Sequence, residues 1–137
     1  MNDKDFLEKV NKRIGENKTE MLASLSELLS IPSVAIEEGA TDSSMPFGEG
    51  VNRVYRRMLE MGEEAGFDTF DADGYGGHID YDGTEDGVIG VIGHLDVVPE
   101  GDDWDFDPYG GQISDGYVQG RGAVDDKGPV VASFYAM

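Results

Sequence analysis

The sequence predicts an α/β domain in which a mixed sheet is flanked by helices. Apolar residues recur at helical spacing through the first half of the chain. An uncharged run at residues 87–93, Gly-Val-Ile-Gly-Val-Ile-Gly, has the composition of a strand buried on both faces, the kind found inside helix-covered sheets. Glycine and aspartate punctuate the segments between, where turns are needed.

The elements follow in chain order. Phe6, Val10 and Ile14 stand four residues apart, and Met21, Leu22, Leu25, Leu28 and Leu29 share one helical face. Asn17 followed by Glu20 has the form of a capping box, which predicts a break and therefore two helices, the second ending before Pro32. Residues 37–50 are polar and read as a loop. Val51, Val54, Tyr55, Met58 and Leu59 predict a third helix, with Gly66 as its left-handed terminal residue and Phe67 as the apolar contact beyond it. Ile79 and Tyr81 alternate with His78, Asp80 and Asp82, the pattern of a half-exposed strand, which makes His78 a surface residue and not a ligand. Residues 87–93 belong at the centre of the sheet. Asp115-Gly116, set between Gly111-Gln112-Ile113 and Tyr117-Val118-Gln119, predicts a hairpin. From Gly128 onward the residues are those of a buried helix with Pro129 in its first turn, and no Gly, Pro or basic last turn closes it, so the chain reads as cut inside that helix.

A length of 137 residues suits one domain with its own core. Ten Lys and Arg stand against 29 Asp and Glu, a formal net charge of −19. Such a field repels phosphate backbones and anionic lipid heads, which excludes nucleic acid and membrane surfaces as expected partners. There is no Cys, so no disulfide can form and a metal site must draw on His and carboxylate ligands. Asp3, Lys4, Asp5, Glu8, Lys9, Lys12 and Arg13 interrupt any signal-like apolar run, and the expected setting is cytoplasmic.

Two short constellations carry chemistry. His94-Leu95-Asp96 follows the apolar run, at the end of a strand where α/β sheets place their ligands. An imidazole there can bind a metal through one ring nitrogen while a carboxylate accepts a hydrogen bond from the other. On spacing alone a His-x-Asp is more often an ordinary hydrogen-bonded histidine. Arg121-Gly122-Ala123-Val124-Asp125-Asp126-Lys127-Gly128 ends a strand and opens a helix, where an Asp also serves as a plain N-cap.

Together the segments Gly93-His94-Leu95-Asp96-Val97-Val98-Pro99-Glu100-Gly101, Trp104, Asp107-Pro108-Tyr109, Asp115-Gly116 and Gly120 through Gly128 resemble the signature of metallopeptidase family twenty, the di-zinc aminoacylases, carboxypeptidases and dipeptidases. The Val-Val-Pro-Glu-Gly-Asp-Asp-Trp stretch and the Asp-Asp-Lys-Gly-Pro ending resemble most the bacterial Xaa-His, carnosinase-like dipeptidase branch. The resemblance implies that His94 binds one zinc, that Asp125 bridges two, and that Asp96 is the catalytic-site residue orienting His94. Asp126 is the rival for the bridge. It also implies a cis peptide bond between Asp125 and Asp126, and hydrolysis of a small peptide by a water activated between two metal ions, zinc, or cobalt or manganese in its place.

In the family the general base, the next ligands and the lid domain lie downstream of this signature. Residues 1–137 therefore read as a partial catalytic domain without its lid and C-terminal part, inactive alone and prone to self-association through exposed sheet edges. Glu63-Glu64 precedes the signature and cannot supply the missing acidic pair. Related di-zinc aminoacylases, deacylases and tripeptidases share the chemistry. From other classes, a non-catalytic acidic fragment stays open, and Asp103-Trp104-Asp105-Phe106-Asp107 mimics the start of a calcium loop, with Pro108 and Ser114 where such a loop wants Gly and Glu. Gly120-Arg121-Gly122 reads as turn chemistry, and Trp104, Pro108 and Tyr109 either line the approach to the site or anchor a loop.

Overall fold

The computed structural model describes residues 2–36 and 43–137. Its elements are helices α1 (Asp3–Leu29), α2 (Glu49–Glu64) and α3 (Lys127–Phe134) and strands β1 (Asp68–Asp71), β2 (Gly77–Asp80), β3 (Gln112–Ser114) and β4 (Tyr117–Gln119). The fold is mixed α/β, as the sequence predicts. Its strands form two separate antiparallel pairs, β1 with β2 and β3 with β4. Residues 37–42 of the polar loop lie outside the described residues.

The chain opens on one helix, not two. Asn2 is the cap, its side-chain oxygen accepting the Asp5 amide at 2.9 Å, and the helix then runs through Asn17 without a break. Gly15 and Asn17 weaken a helix by at most about 1 kcal/mol each and do not stop one, since both keep the backbone N–H that proline lacks. The outer part of α1 is solvated, with Phe6, Leu7 and Ile14 exposed by 52, 57 and 53%. Only toward its end, at Leu25, Leu28 and Leu29, does it enter the core. Ser30 caps that end through its amide, which bonds the Ser26 and Glu27 carbonyls, and Pro32 turns the chain away.

The end of α2 follows the expected pattern closely. Gly66 has φ +82°. Its amide bonds the Glu63 carbonyl at 2.9 Å, and the Phe67 amide reaches back to Gly62 at 2.9 Å. These two bonds satisfy carbonyls that a helix end leaves open, and only a left-handed residue permits both. The β1–β2 pair then folds back on α2, with Ile79 of β2 against Gly62. His78 lies on the exposed side, 3.3 Å from Asp80. In the β3–β4 hairpin Ser114 faces Tyr117 across Asp115 (φ +53°) and Gly116 (φ +83°). Two successive positive φ values make the turn whose twist matches the strands it joins.

Residues 87–93 are a correction. They join no strand pair, and Val88, Ile89, Val91 and Ile92 are exposed by 96, 98, 72 and 99%. A strand buried on both faces needs a neighbour on each edge and cover above and below, and the described residues supply neither. The apolar composition is that of a central strand; the surroundings are not.

The core lies where α1, α2 and α3 meet: Leu25, Leu28, Leu29, Ile31, Val54, Met58, Met61 and Val131, with Leu95, Val118 and Phe134 packed on its margin. One parallel bridge, Val34 to Val97, brings the segment after residue 93 alongside the segment after α1. The Val97 amide bonds the Ser33 carbonyl at 3.0 Å, and the buried Ser33 hydroxyl bonds the Leu95 carbonyl at 2.7 Å.

Candidate metal centre

These ties put His94 and Asp96 next to the opening of α3. Gly93 allows the approach: a Cβ there would stand 2.5 Å from a Val130 methyl and 2.9 Å from an Asp126 carboxylate oxygen. The Asp126 carboxylate accepts the His94 backbone amide at 3.1 Å. The Asp125–Asp126 peptide bond is cis, as the resemblance implies.

The His94 ring lies between two acidic residues. Nε2 is 3.1 Å from Asp125 Oδ1, and Nδ1 is 3.1 Å from the Asp96 carbonyl and 3.3 Å from its carboxylate. Desolvation is the largest influence on the His94 pKa and lowers it. The bonds to the Asp96 carbonyl and the Asp125 carboxylate, with the charges of Asp96 and Asp126, outweigh it and raise the pKa above its ordinary value. With acceptors on both sides, a doubly protonated ring satisfies all of them.

The three residues singled out in the sequence are therefore brought together. Asp125, not Asp126, faces the imidazole ring, while Asp126 holds the backbone beneath it. The donor types fit zinc: an imidazole nitrogen and a carboxylate oxygen are ordinary zinc ligands, with bonds of about 2.0 Å, and two atoms 3.1 Å apart can share one ion. Among the described residues no group of three or more His, Cys, Asp or Glu is placed to hold a metal ion. His94 and Asp125 are two donors of suitable type side by side.

A cavity of about 270 Å³ opens beside these groups, bounded by His94, Asp96, Asp125, Trp104, Arg121 and Val124 among others. Trp104 both lines it and anchors its loop, donating from Nε1 to the Glu100 carbonyl at 2.8 Å. The Arg121 guanidinium lies 5.2 Å from the Trp104 ring centre and bonds the same carbonyl at 3.0 Å. Tyr109 donates to the Glu100 carboxylate at 2.9 Å. Burial, then this bond, pushes the phenol up to about 12, while the Glu100 carboxyl is held below its usual range, first by a backbone hydrogen bond and next by Tyr109.

Comparison with known proteins relates the same residues to peptidases. Residues 90–137 match the family model described as Peptidase family M20/M25/M40. That stretch is similar to M20/M25/M40 peptidases. It contains His94, Asp96, Asp125 and Asp126 and thus both halves of the cluster. Beyond it, the chain is 46% identical over 120 residues to YtjP of Bacillus subtilis (strain 168), provisionally named a dipeptidase, covering 88% of this chain and 26% of that protein. It is 39% identical over 125 residues to SH1171 of Staphylococcus haemolyticus (strain JCSC1435), also provisionally named a dipeptidase, covering 91% of this chain and 26% of that protein. It is 38% identical over 128 residues to the Beta-Ala-Xaa dipeptidase of Lactobacillus delbrueckii subsp. lactis, covering 92% of this chain and 27% of that protein. The chain spans about a quarter of the length of these relatives.

Two residues that support the site are not evident from the sequence. Lys127 is wholly buried, and its ammonium bonds the Leu28 and Ile31 carbonyls at 2.9 and 2.8 Å. Burial brings its pKa down to about 8. A signal existed: a lysine in the first turn of a helix opposes the helix dipole, so its presence there asks for another partner. Ser33 gave no signal, being a small residue between Pro32 and Val34.

Proposed function

We propose that this chain is part of the catalytic domain of a zinc-dependent dipeptidase, with His94 and Asp125 as metal ligands and Asp96 as the residue that orients His94. The 3.1 Å approach of His94 Nε2 to Asp125 Oδ1, with Nδ1 turned to Asp96, carries the proposal. The dipeptidase names of the relatives support the substrate class, a small peptide.

Asp96 fixes the ring through Nδ1, which leaves Nε2 as the coordinating atom and makes it more basic. His94 Nε2 and Asp125 Oδ1 already stand 3.1 Å apart, and these are the two atoms that would hold a metal ion. Zinc held there would supply an acidified water and polarise a scissile carbonyl. Asp125 lines the cavity and is exposed, and it would be the residue shared between two ions. With Trp104, Arg121 and Val124, the cavity gives a peptide an aromatic face, a cation and an apolar wall against which to be oriented.

The remaining ligands and the general base belong to a longer protein, consistent with the quarter-length match to the relatives. The setting is cytoplasmic, in keeping with the absence of Cys, and no described helix is long and apolar enough to cross a membrane. The exposed apolar run at residues 88–92 is the surface through which the 137-residue chain associates with a second copy.

Calorimetric titration of the chain with zinc tests the metal reading. Weak binding of a single equivalent is expected, lost in His94→Ala and Asp125→Asn and retained in His78→Gln, with no dipeptide hydrolysis. Binding that survives His94→Ala, or two equivalents retained after dialysis, contradicts it.

A further inference from the structure

Both limbs of the His94–Asp125 pair are mounted on one short stretch of chain, residues 28–33. The His94 limb is attached through Ser33, whose hydroxyl bonds the Leu95 carbonyl at 2.7 Å and whose carbonyl bonds the Val97 amide at 3.0 Å. The Asp125 limb is attached through Lys127, the first residue of α3. Its stem passes beneath Gly122, where a Cβ would stand 3.1 Å from Lys127 Cδ and 3.0 Å from a Val97 methyl. Its ammonium ends on the carbonyls of Leu28 and Ile31, at 2.9 and 2.8 Å.

The chemistry of that contact is that of a strut between two helix ends. The Leu28 carbonyl belongs to the last turn of α1 and the Ile31 carbonyl lies two residues past its end, at the negative end of the helix dipole, so a cation is favoured there although it is disfavoured at the start of α3. The residue is 0% exposed, so no water can replace those bonds if the ammonium is lost. Asp125 is exposed and lies two residues before the strut, so its place depends on the backbone that Lys127 fixes.

We propose that Lys127 is a positioning residue of the site: by clamping the start of α3 to the end of α1, it holds Asp125 beside the His94 ring. The proposal rests on the reading of His94 and Asp125 as ligands. It predicts that removing the charge changes the site more than it changes the fold.

Three variants of the whole chain separate these effects. Lys127→Met keeps the stem and removes the ammonium. Val131→Ala, in the same helix and 1% exposed, weakens the same core without touching the strut. Lys127→Arg restores a cation. The first readout is the ring-nitrogen chemical shifts of His94 in metal-free protein, resolved from the one other histidine by His78→Gln. The second is zinc affinity by calorimetry, at a temperature where circular dichroism shows each variant folded.

Lys127→Met is expected to displace the His94 ring signals and to weaken zinc at least tenfold, with Val131→Ala within twofold of the parent and Lys127→Arg partly recovering both. Ring signals unchanged in Lys127→Met, or moved equally by Val131→Ala, overturn the proposal. Should Lys127→Met fail to fold, Lys127→Gln, which keeps a donor but is too short for both carbonyls, is read by the same measurements with the same expectations. If the parent chain takes no zinc, the ligand reading fails by itself, while the metal-free ring signals still decide the role of Lys127.

Discussion

The Ser33 hydroxyl donates a 2.7 Å hydrogen bond to the carbonyl of Leu95, 62 residues further along the chain. Ser33 is wholly buried, so Ser33→Ala leaves the Leu95 carbonyl without that donor. The expected loss is about 1–2 kcal/mol, the usual penalty for stranding a buried acceptor. Urea unfolding followed by circular dichroism measures it. A variant as stable as the parent shows that water replaces the hydroxyl.

Gly50, in the first turn of α2, stands against the same stretch. A Cβ there would overlap the Pro32 carbonyl oxygen and lie 3.4 Å from the Ser33 Cα. Both are backbone atoms that cannot turn aside. Gly50→Ala should therefore destabilise the chain by about 2 kcal/mol or more. Gly15→Ala, in the solvated part of α1 with no atom within 4 Å of its Cβ, should stabilise it by about 0.5–1 kcal/mol. Thermal melts of the two variants should move in opposite directions, and melts that move together refute the steric account.

Tyr55 makes stability depend on alkali. It donates to Asp71 at 2.7 Å, and burial, followed by that hydrogen bond, raises its pKa to about 12; Tyr109 is raised to about 12 as well. A phenol whose pKa is higher in the folded chain contributes stability that is complete below pH 10 and is lost as pH rises from 10 toward 12. Absorbance at about 295 nm should show a late tyrosinate component near pH 12 that Tyr55→Phe and Tyr109→Phe together abolish. The acid limb involves Asp71, whose pKa is lowered first by the Gly74 amide and next by Tyr55. Its contribution is present above pH 3.8 and disappears as pH falls below it, so Asp71→Asn should flatten unfolding in that range.

Residues 88–92 should join two chains. An antiparallel pairing centred on Gly90 sets Val88 opposite Ile92, Ile89 opposite Val91 and Asp86 opposite His94, with no like charges facing. Screening of the −19 net charge should promote it, so the dimer fraction seen by sedimentation should rise with salt. Ile89→Asp and Ile92→Asp, at side chains 98 and 99% exposed, should abolish it without altering the melt. Because the chain has no Cys, a mixture of Val88→Cys and Ile92→Cys should cross-link more readily than either alone. Equal cross-linking of Val88→Cys with itself rules out that register.

Where one or two residues decide a conformation, the sequence was legible. Gly66 with Phe67 ended α2, and Asp115-Gly116 turned the hairpin, because positive φ at those positions leaves few alternatives. Asn17 misled, because a residue suited to a cap is also tolerated inside a helix, and Asn2 stood free to do the capping. Residues 87–93 misled differently: composition reports what surroundings a segment suits, not whether the chain provides them. In the site, His94, Asp96 and Asp125 were readable as a set since their spacing recurs in a known signature. Lys127 was not, because its partners are main-chain carbonyls far back in the sequence, and carbonyls leave no trace in a list of side chains.

The single long α1 has a consequence for how the chain is cut. Lys4, Lys9, Lys12, Arg13 and Lys18 are half of its ten basic residues, and all lie in the solvated part of the helix. The other five sit on the body of the molecule, among them the buried Lys127. Brief exposure to trypsin should therefore shorten the chain stepwise from its amino end and then pause, leaving a core that begins near Thr19. That trimmed species keeps the last turns of α1, and with them every hydrogen bond on which His94 and Asp125 are suspended.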